Sequence, residues 1–193
     1  MSSKLIRGIG INEGKYPTWR AGKILREYHF WQNLIRRCKC PNFQQEFPTY
    51  IGCTVSENFK SYSYFYEWCQ NQIGFSQEGY HCDKDLLLRG NKVYSENTCV
   101  FIPNELNNLL ASCKAARGSL PIGVVAVGSR FRVYCHRGSA SSHVGYFDTP
   151  NEAFAAYKQA KEAHIKLQAE KWKAHIDPRA YAALMAYEVL PTD

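Results

Sequence analysis

The residues best suited to chemistry lie between His81 and Asn108. His81, Asp83 and Asp85 occupy alternate positions in a short apolar run, and alternate positions of a strand share one face. Asn104, Asn107 and Asn108 follow and offer amide oxygens. Carboxylate and amide oxygens are hard ligands, suited to Mg²⁺ or Mn²⁺. An imidazole beside such a cation can take a proton from water, which makes His81 a candidate general base.

The elements that must position these groups read as strand, turn, strand, helix. His81 to Leu88 is apolar enough for a strand, and Arg89, Gly90 and Asn91 make a turn. Tyr94 to Ile102 is rich in β-formers. Pro103 suits the first position of a helix, and Leu106, Leu109 and Leu110 follow at helical spacing. Asn91 beside Gly90 is read as a turn former, and Asn104 as a cap at the helix start.

These residues carry a resemblance. The stretch DKD, GNKVYSENTCVFIP and LNNLL resembles the ββα-metal core of phage-encoded HNH homing endonucleases, through Asp83, Lys84, Asp85, Asn91, Tyr94, Ser95, Cys99 and Asn107. It extends upstream to Trp31, Leu34, Arg37 and Cys38, and to Cys53, Val55, Phe59, Phe65 and Trp68. The resemblance implies a metal-dependent endonuclease that nicks or cleaves double-stranded DNA. It implies Asp83 and Asn107 as metal ligands, with Asp85 beside them and Asn108 as the alternative to Asn107. His81, Asp83, Lys84 and Asn107 then form the catalytic set, and Lys84 or Lys92 adds electrostatic help. Where the family places His directly after the metal-binding Asp, this chain has Lys84, and His81 is expected to substitute. The alternative reading is a catalytically inactive, sequence-specific DNA-binding protein on the same scaffold.

The second half predicts a different module. Ile122 to Val127 is a strand, and Gly128-Ser129 is a two-residue turn with Gly first, as type II′ requires. Arg130 to His136 alternates, with Arg130, Arg132, Tyr134 and His136 on one face and Phe131, Val133 and Cys135 on the other. A small, uncharged loop over 138–142 leads to a third strand from His143 to Phe147. Thr149, Pro150 and Glu152 then open a helix as N-cap, first position and capping box. Phe154, Tyr157, Lys161 and Ile165 run along its inner side toward Trp172. This order, with GYFDTPNEAFAAY over 145–157, is similar to the Apetala-two (ethylene-response) DNA-binding domain. That resemblance implies a sheet in the major groove, contacting DNA through Arg130, Arg132, Tyr134, Arg137 and His143.

The fold class is therefore α+β: a ββα-metal nuclease core with flanking helices, then a three-stranded antiparallel sheet on one long helix. The expected domains are a nuclease region over 1–115 with its core at 80–110, a DNA-binding domain over 116–175, and a helical tail over 176–193. Residues 1–22 read as a basic extended arm. Ile24 to Arg37 is an amphipathic helix whose outer side carries Arg26, Arg36 and Arg37, and this face is read as a phosphate contact, with Arg36 and Arg37 as its DNA-binding residues. Pro41 ends that helix and 41–60 reads as irregular. A second helix, capped by Ser61 or Ser63, runs to Ile73. The tail has Asp177 and Pro178 opening a helix over Ala180–Tyr187, docking through Tyr181, Leu184 and Tyr187.

Charge fits a polyanionic partner. The 193 residues carry +7, with pI about 9.0. Residues 1–44 hold nine Lys or Arg against two Asp or Glu, 45–120 hold six against eight, and 130–175 hold eight against four. The basic surplus thus flanks the acidic candidate core, as grip on phosphates at either side would need. No apolar run approaches the ~18 residues of a membrane span, and the N-terminus lacks a signal-peptide core. The expected location is the cytoplasm, that of the host cell if phage-encoded. The expected partner is double-stranded DNA, with no membrane and no small-molecule substrate, bound by a monomer or homodimer. Of the eight Cys, a zinc site from Cys38, Cys40, Cys53 and Cys69 is weighed against buried thiols acting as small hydrophobes, and the latter is preferred.

Overall fold

The computed structural model describes residues 5–110, 119–137 and 140–193, with the backbone alone at 136, 137, 140 and 141. The chain is α+β with small sheets and divides into two compact units, Met1–Ile102 and Pro103–Asp193. Most of the segment that joins the sequence-predicted domains, 111–118, lies outside the described residues.

The first unit is built on helices whose apolar stripes are aromatic. A short hairpin of β1 (Trp19–Arg20) and β2 (Lys23–Ile24) leads into α1 (Arg26–Lys39). The spacing of Trp31, Leu34, Ile35 and Cys38 places all four on one buried side of α1. Pro41 does not simply end α1; it opens α2 (Pro41–Glu46) at the position where a missing N–H costs nothing. A 3₁₀ turn over Pro48–Tyr50, β3 (Thr54–Val55) and α3 (Glu57–Lys60) follow, so 41–60 is more ordered than its composition predicts. α4 (Tyr62–Gln70) starts where Ser61 accepts from the Tyr64 amide at 3.0 Å. Phe59, Tyr62, Phe65 and Trp68 are buried against α1, and Trp31 donates its indole N–H to the Phe59 carbonyl at 2.8 Å.

The basic N-terminal segment is not a free arm. Gly10 is buried against Trp31, and a Cβ there would lie 3.0 Å from the indole ring. The Ile11 amide donates to Lys60 and its carbonyl accepts from Tyr62, at 2.8 and 2.9 Å. Tyr16 stacks on Tyr66 at 4.0 Å, and Tyr62 donates its hydroxyl to the Pro17 carbonyl. Backbone pairing and ring stacking hold the segment, and neither leaves an apolar periodicity to read.

The expected hairpin is re-routed. β4 (Tyr80–Asp83) ends at Asp83 instead of continuing to Leu88, because the Asp83 side chain accepts the amides of Asp85 and Leu86 and turns the chain. Asp83 and Asp85 therefore do not share a strand face. The expected strand from Tyr94 to Ile102 is two strands, β5 (Val93–Tyr94) and β6 (Val100–Pro103), separated by a turn in which Ser95 accepts the Cys99 amide. β5 pairs in parallel with β3, while β6 pairs with β4 and is buried at all four positions.

The second unit opens with α5 (Asn104–Leu110), which buries Leu106. β7 (Val124–Val127), β8 (Arg130–Arg137) and β9 (Ala140–Phe147) form an antiparallel meander, with a bulge between Val133 and Tyr134. Gly128 takes φ +60° in the β7–β8 turn, the conformation read from the sequence. The capping box at Thr149 and Glu152 opens α6 (Pro150–Trp172), through bonds of 3.3 and 3.2 Å. α6 buries Ala153, Tyr157, Ile165 and Ala169, so its inner stripe is rotated from the expected Phe154 side, and Phe154 is only half-buried. Tyr157 lies so close to Gly123 (φ +77°) that a Cβ there would fall 2.1 Å from the ring. α7 (Pro178–Met185), capped by Asp177 on the Arg179 amide, docks on α6 through Ala180 and Leu184, with Tyr181 and Tyr187 half-buried. Lys171 and Trp172 both bond Glu105, which ties α5 to α6.

Candidate functional site

Residues 81–94 form the first group of candidates. Along β4, Tyr80 and Cys82 are buried, His81 is exposed and Asp83 is half-buried. His81 and Asp83 thus share the outer side of the strand, as alternation requires. Asp83 Oδ1 accepts the amides of Leu86 (2.7 Å) and Asp85 (2.9 Å). Burial pushes its carboxyl above the ordinary Asp value, and the Asp85 charge adds to this against the pull of the two amides and Lys84. Asp85 is exposed and bonds the Lys84 ammonium.

Lys84 is buried, with 6 % of its surface exposed. Its ammonium also donates to the Asn91 carbonyl at 2.9 Å and lies 5.6 Å from the centre of the Tyr94 ring. Asn91 returns the bond: its amide nitrogen donates to the carbonyls of Lys84 and Val93, both at 2.7 Å. Lys84 and Asn91 therefore lock a loop, which agrees with the turn role read for Asn91. Lys92 donates to the Thr49 carbonyl at 2.7 Å. Asn107 lies half-buried on α5, in the second unit, and Asn108 is exposed there.

His81 also opens onto a pocket of about 380 Å³ between α1 and β4. Arg26, His29, Asn33 and Arg37 line its α1 wall, and the lining contains no carboxylate. Arg26 donates to the Tyr80 carbonyl at 3.3 Å and packs on Phe30 and Phe75, while its Nε is buried without a bond. Arg37 donates to the Tyr94 hydroxyl at 3.4 Å and lies over Tyr50. His29 and Asn33 are joined at 3.0 Å. Arg36 lies elsewhere, exposed and 4.4 Å over the Phe43 ring. Of this pocket, the sequence singles out His81 as a candidate base and Arg26 and Arg37 as part of a phosphate-contact face, but not His29 or Asn33. Their spacing from Arg26 and Arg37 puts His29 and Asn33 on the same helical stripe, but only the packing of α1 beside β4 makes that stripe a pocket wall.

The third group is the sheet of the second unit. Val133 and Cys135 are buried beneath α6, and Arg130, Arg132, Tyr134 and His143 lie on the other side, as alternation predicts. Tyr134 faces His143 across the strands at 5.4 Å between rings, and Arg132 lies 4.8 Å over Tyr134. Tyr146, 5.1 Å from His143, extends this surface and was not read from the sequence. Arg130 is held by Asp148 at 2.9 Å and by the Tyr146 carbonyl at 3.2 Å. The Arg137 side chain lies outside the described residues, and so do residues 138 and 139 of the small loop.

The described cysteines are thiols, and all but Cys40 are buried. Burial pushes the Cys38 thiol up to about 12, and the neighbouring Cys53 adds to this. Burial likewise raises Cys69, which lies near Cys99. Among the described residues, no three or more His, Cys, Asp or Glu side chains are grouped so that they could hold a metal ion, the set Cys38, Cys40, Cys53 and Cys69 included. No described helix is long and apolar enough to cross a membrane. Compared with known proteins, the chain matches no family model, no curated protein and no solved structure.

Proposed function

We propose that the chain is a metal-dependent endonuclease acting on double-stranded DNA, built on a ββα-metal core and guided by the sheet of its second unit. The observation that carries this reading is the placement of His81 and Asp83 on the outer side of β4, with His81 opening onto an acid-free basic pocket. Asp83 fits a divalent cation: its Oδ1 is taken by two amides, no bond reaches Oδ2 among the described residues, and its charge is opposed by burial and by Asp85. Asp85 fits less well, since its carboxylate is turned back onto Lys84. A Mg²⁺ or Mn²⁺ ion there would supply charge neutralisation at the phosphate. His81 takes the proton of the attacking water, and Arg26 and Arg37 set the anion's position beside it. Arg132, Tyr134, His143 and Tyr146 offer a basic, aromatic face for the DNA groove.

Conversion of supercoiled plasmid in the presence of Mg²⁺ or Mn²⁺ tests this. The wild type should nick, and His81→Ala should slow the reaction by roughly 10²–10⁴-fold, the usual contribution of a general base. Asp83→Ala should abolish the metal requirement together with the activity. Asn107, which the resemblance makes the second ligand, is tested by its own alanine substitution.

The second reading, an inactive DNA-binding protein, is favoured by Lys84. This residue stands where the family's base is usual, and its ammonium is buried in a structural contact with Asn91. No plasmid conversion, with salt-sensitive binding to the same DNA retained, would establish that reading instead.

A further inference from the structure

Two guanidinium groups line the pocket beneath His81, and neither has a carboxylate partner among the described residues. This is unusual chemistry for half-buried charge. Arginine inside a protein is ordinarily paired, because desolvation of an unpaired cation is costly. Glu27 and Glu78 act on Arg26 only at a distance, and Glu27 bonds Gln70 instead. Phe30 and Phe75 pack against the Arg26 guanidinium, which therefore has little freedom to swing out to solvent. Its Nε is buried and bonded to nothing, a donor waiting for an acceptor. Asn33, His29 and His81 add further donors on the same walls.

We propose that this pocket binds one phosphodiester group of a nucleic-acid strand, with Arg26 and Arg37 as its charged ligands and Asn33, His29 and His81 as supporting donors. The guanidinium fork matches the geometry of a phosphate's oxygens, which lysine does not. The volume, about 380 Å³, exceeds a bare phosphate and accommodates the sugar on either side of a diester. The inference deepens the proposed cleavage by naming the group held beside His81, but it requires no metal and no turnover. A catalytically inactive chain would bind in the same way.

The test follows the imidazole signals of the full chain by NMR while the dinucleotide TpT is added at constant ionic strength, with thymidine as control. His29 and His81 should shift saturably with TpT and not with thymidine. Arg26→Gln and Arg37→Gln should each weaken this binding about tenfold or more, the worth of one charge-assisted bond. Should either variant unfold, Asn33→Asp serves in its place. It puts a carboxylate into the pocket without removing a guanidinium, so it should abolish TpT binding while leaving the melting temperature unchanged or higher. Absence of a saturable shift at His29 and His81 overturns the proposal. So does binding of inorganic phosphate without TpT, and so does an Asn33→Asp variant that binds TpT like the wild type. Failure of plasmid cleavage with TpT binding intact would sink the nuclease reading alone.

Discussion

A buried lysine is the residue that most constrains how the 81–94 segment works. Lys84 is bonded to Asp85 and to the Asn91 carbonyl, and Asn91 reaches back to the Lys84 carbonyl. Lys84→Met keeps the aliphatic stem but strands the Asn91 carbonyl, at a cost of about 1–3 kcal/mol. Asn91→Ala should cost a similar amount, and the double variant less than both together, because the two side chains support one loop. Chemical denaturation of the four proteins measures the coupling, and strict additivity would refute the shared lock. Asp83 makes a separate prediction through its raised pKa. A carboxyl whose folded pKa lies above its unfolded value binds protons more tightly when folded. It therefore favours the fold below the unfolded pKa, and that contribution is lost as pH rises through the folded pKa. Asp83→Asn keeps an oxygen for the Asp85 and Leu86 amides but carries no charge. At neutral pH it should match or exceed the wild type in melting temperature, with the advantage shrinking as pH falls through the folded pKa of Asp83. Asp83→Ala loses the turn as well and should fall below both, by about 1 kcal/mol.

At the scale of elements, the second unit was legible where its signals were local. The Thr149–Glu152 capping box, the Gly128 turn and the alternation of β8 each occupy a few consecutive residues, and each is found where the sequence puts it. The first unit was less legible because its pairings are distant in the chain. β5 joins β3 from some forty residues upstream, and the N-terminal segment is held by Lys60, Tyr62 and Tyr66. No periodicity encodes such partners. The candidate site shows the same division. His81 and Asp83 share a strand side, which alternation gives directly, whereas the burial of Lys84 and the opposite wall of the pocket emerge only once α1 and β4 are juxtaposed. Gly123 shows how tightly a non-local contact can bind an element. Its φ of +77° and its approach to Tyr157 leave no room for a methyl group. Gly123→Ala should lower the stability of the second unit by more than about 1 kcal/mol, since strain and overpacking add. Unfolding followed through Trp172, the Trp of that unit, is the measurement, and an unchanged midpoint would mean that α6 shifts freely on the sheet.

At the scale of the whole chain, the charge is divided between two units that each enclose a core. Residues 1–102 hold thirteen Lys or Arg against nine Asp or Glu, and residues 103–193 hold eleven against eight. The first unit buries Trp31, Phe59, Phe65 and Phe101, and the second buries Val133, Tyr157, Ile165 and Leu184. Neither unit owns the surplus that suits a polyanion. If only the sheet of the second unit touches DNA, the fragment 103–193 should bind with the same salt dependence as the full chain. If the Arg26–Arg37 pocket also takes a phosphate, the full chain releases more counterions, and its plot of log affinity against log salt should be steeper by about one unit per added phosphate contact. Binding of one duplex by the full chain and by the fragment, across a range of salt, decides between these. The steeper slope is expected, and Arg37→Gln in the full chain should return part of the difference. Arg132→Ala should instead lower the slope of both proteins by about one, because that guanidinium lies on the sheet and has no carboxylate partner among the described residues. Arg130→Ala should change binding less, since Asp148 already neutralises its charge. Equal slopes for chain and fragment would confine DNA contact to the second unit and leave the first without a phosphate to act on.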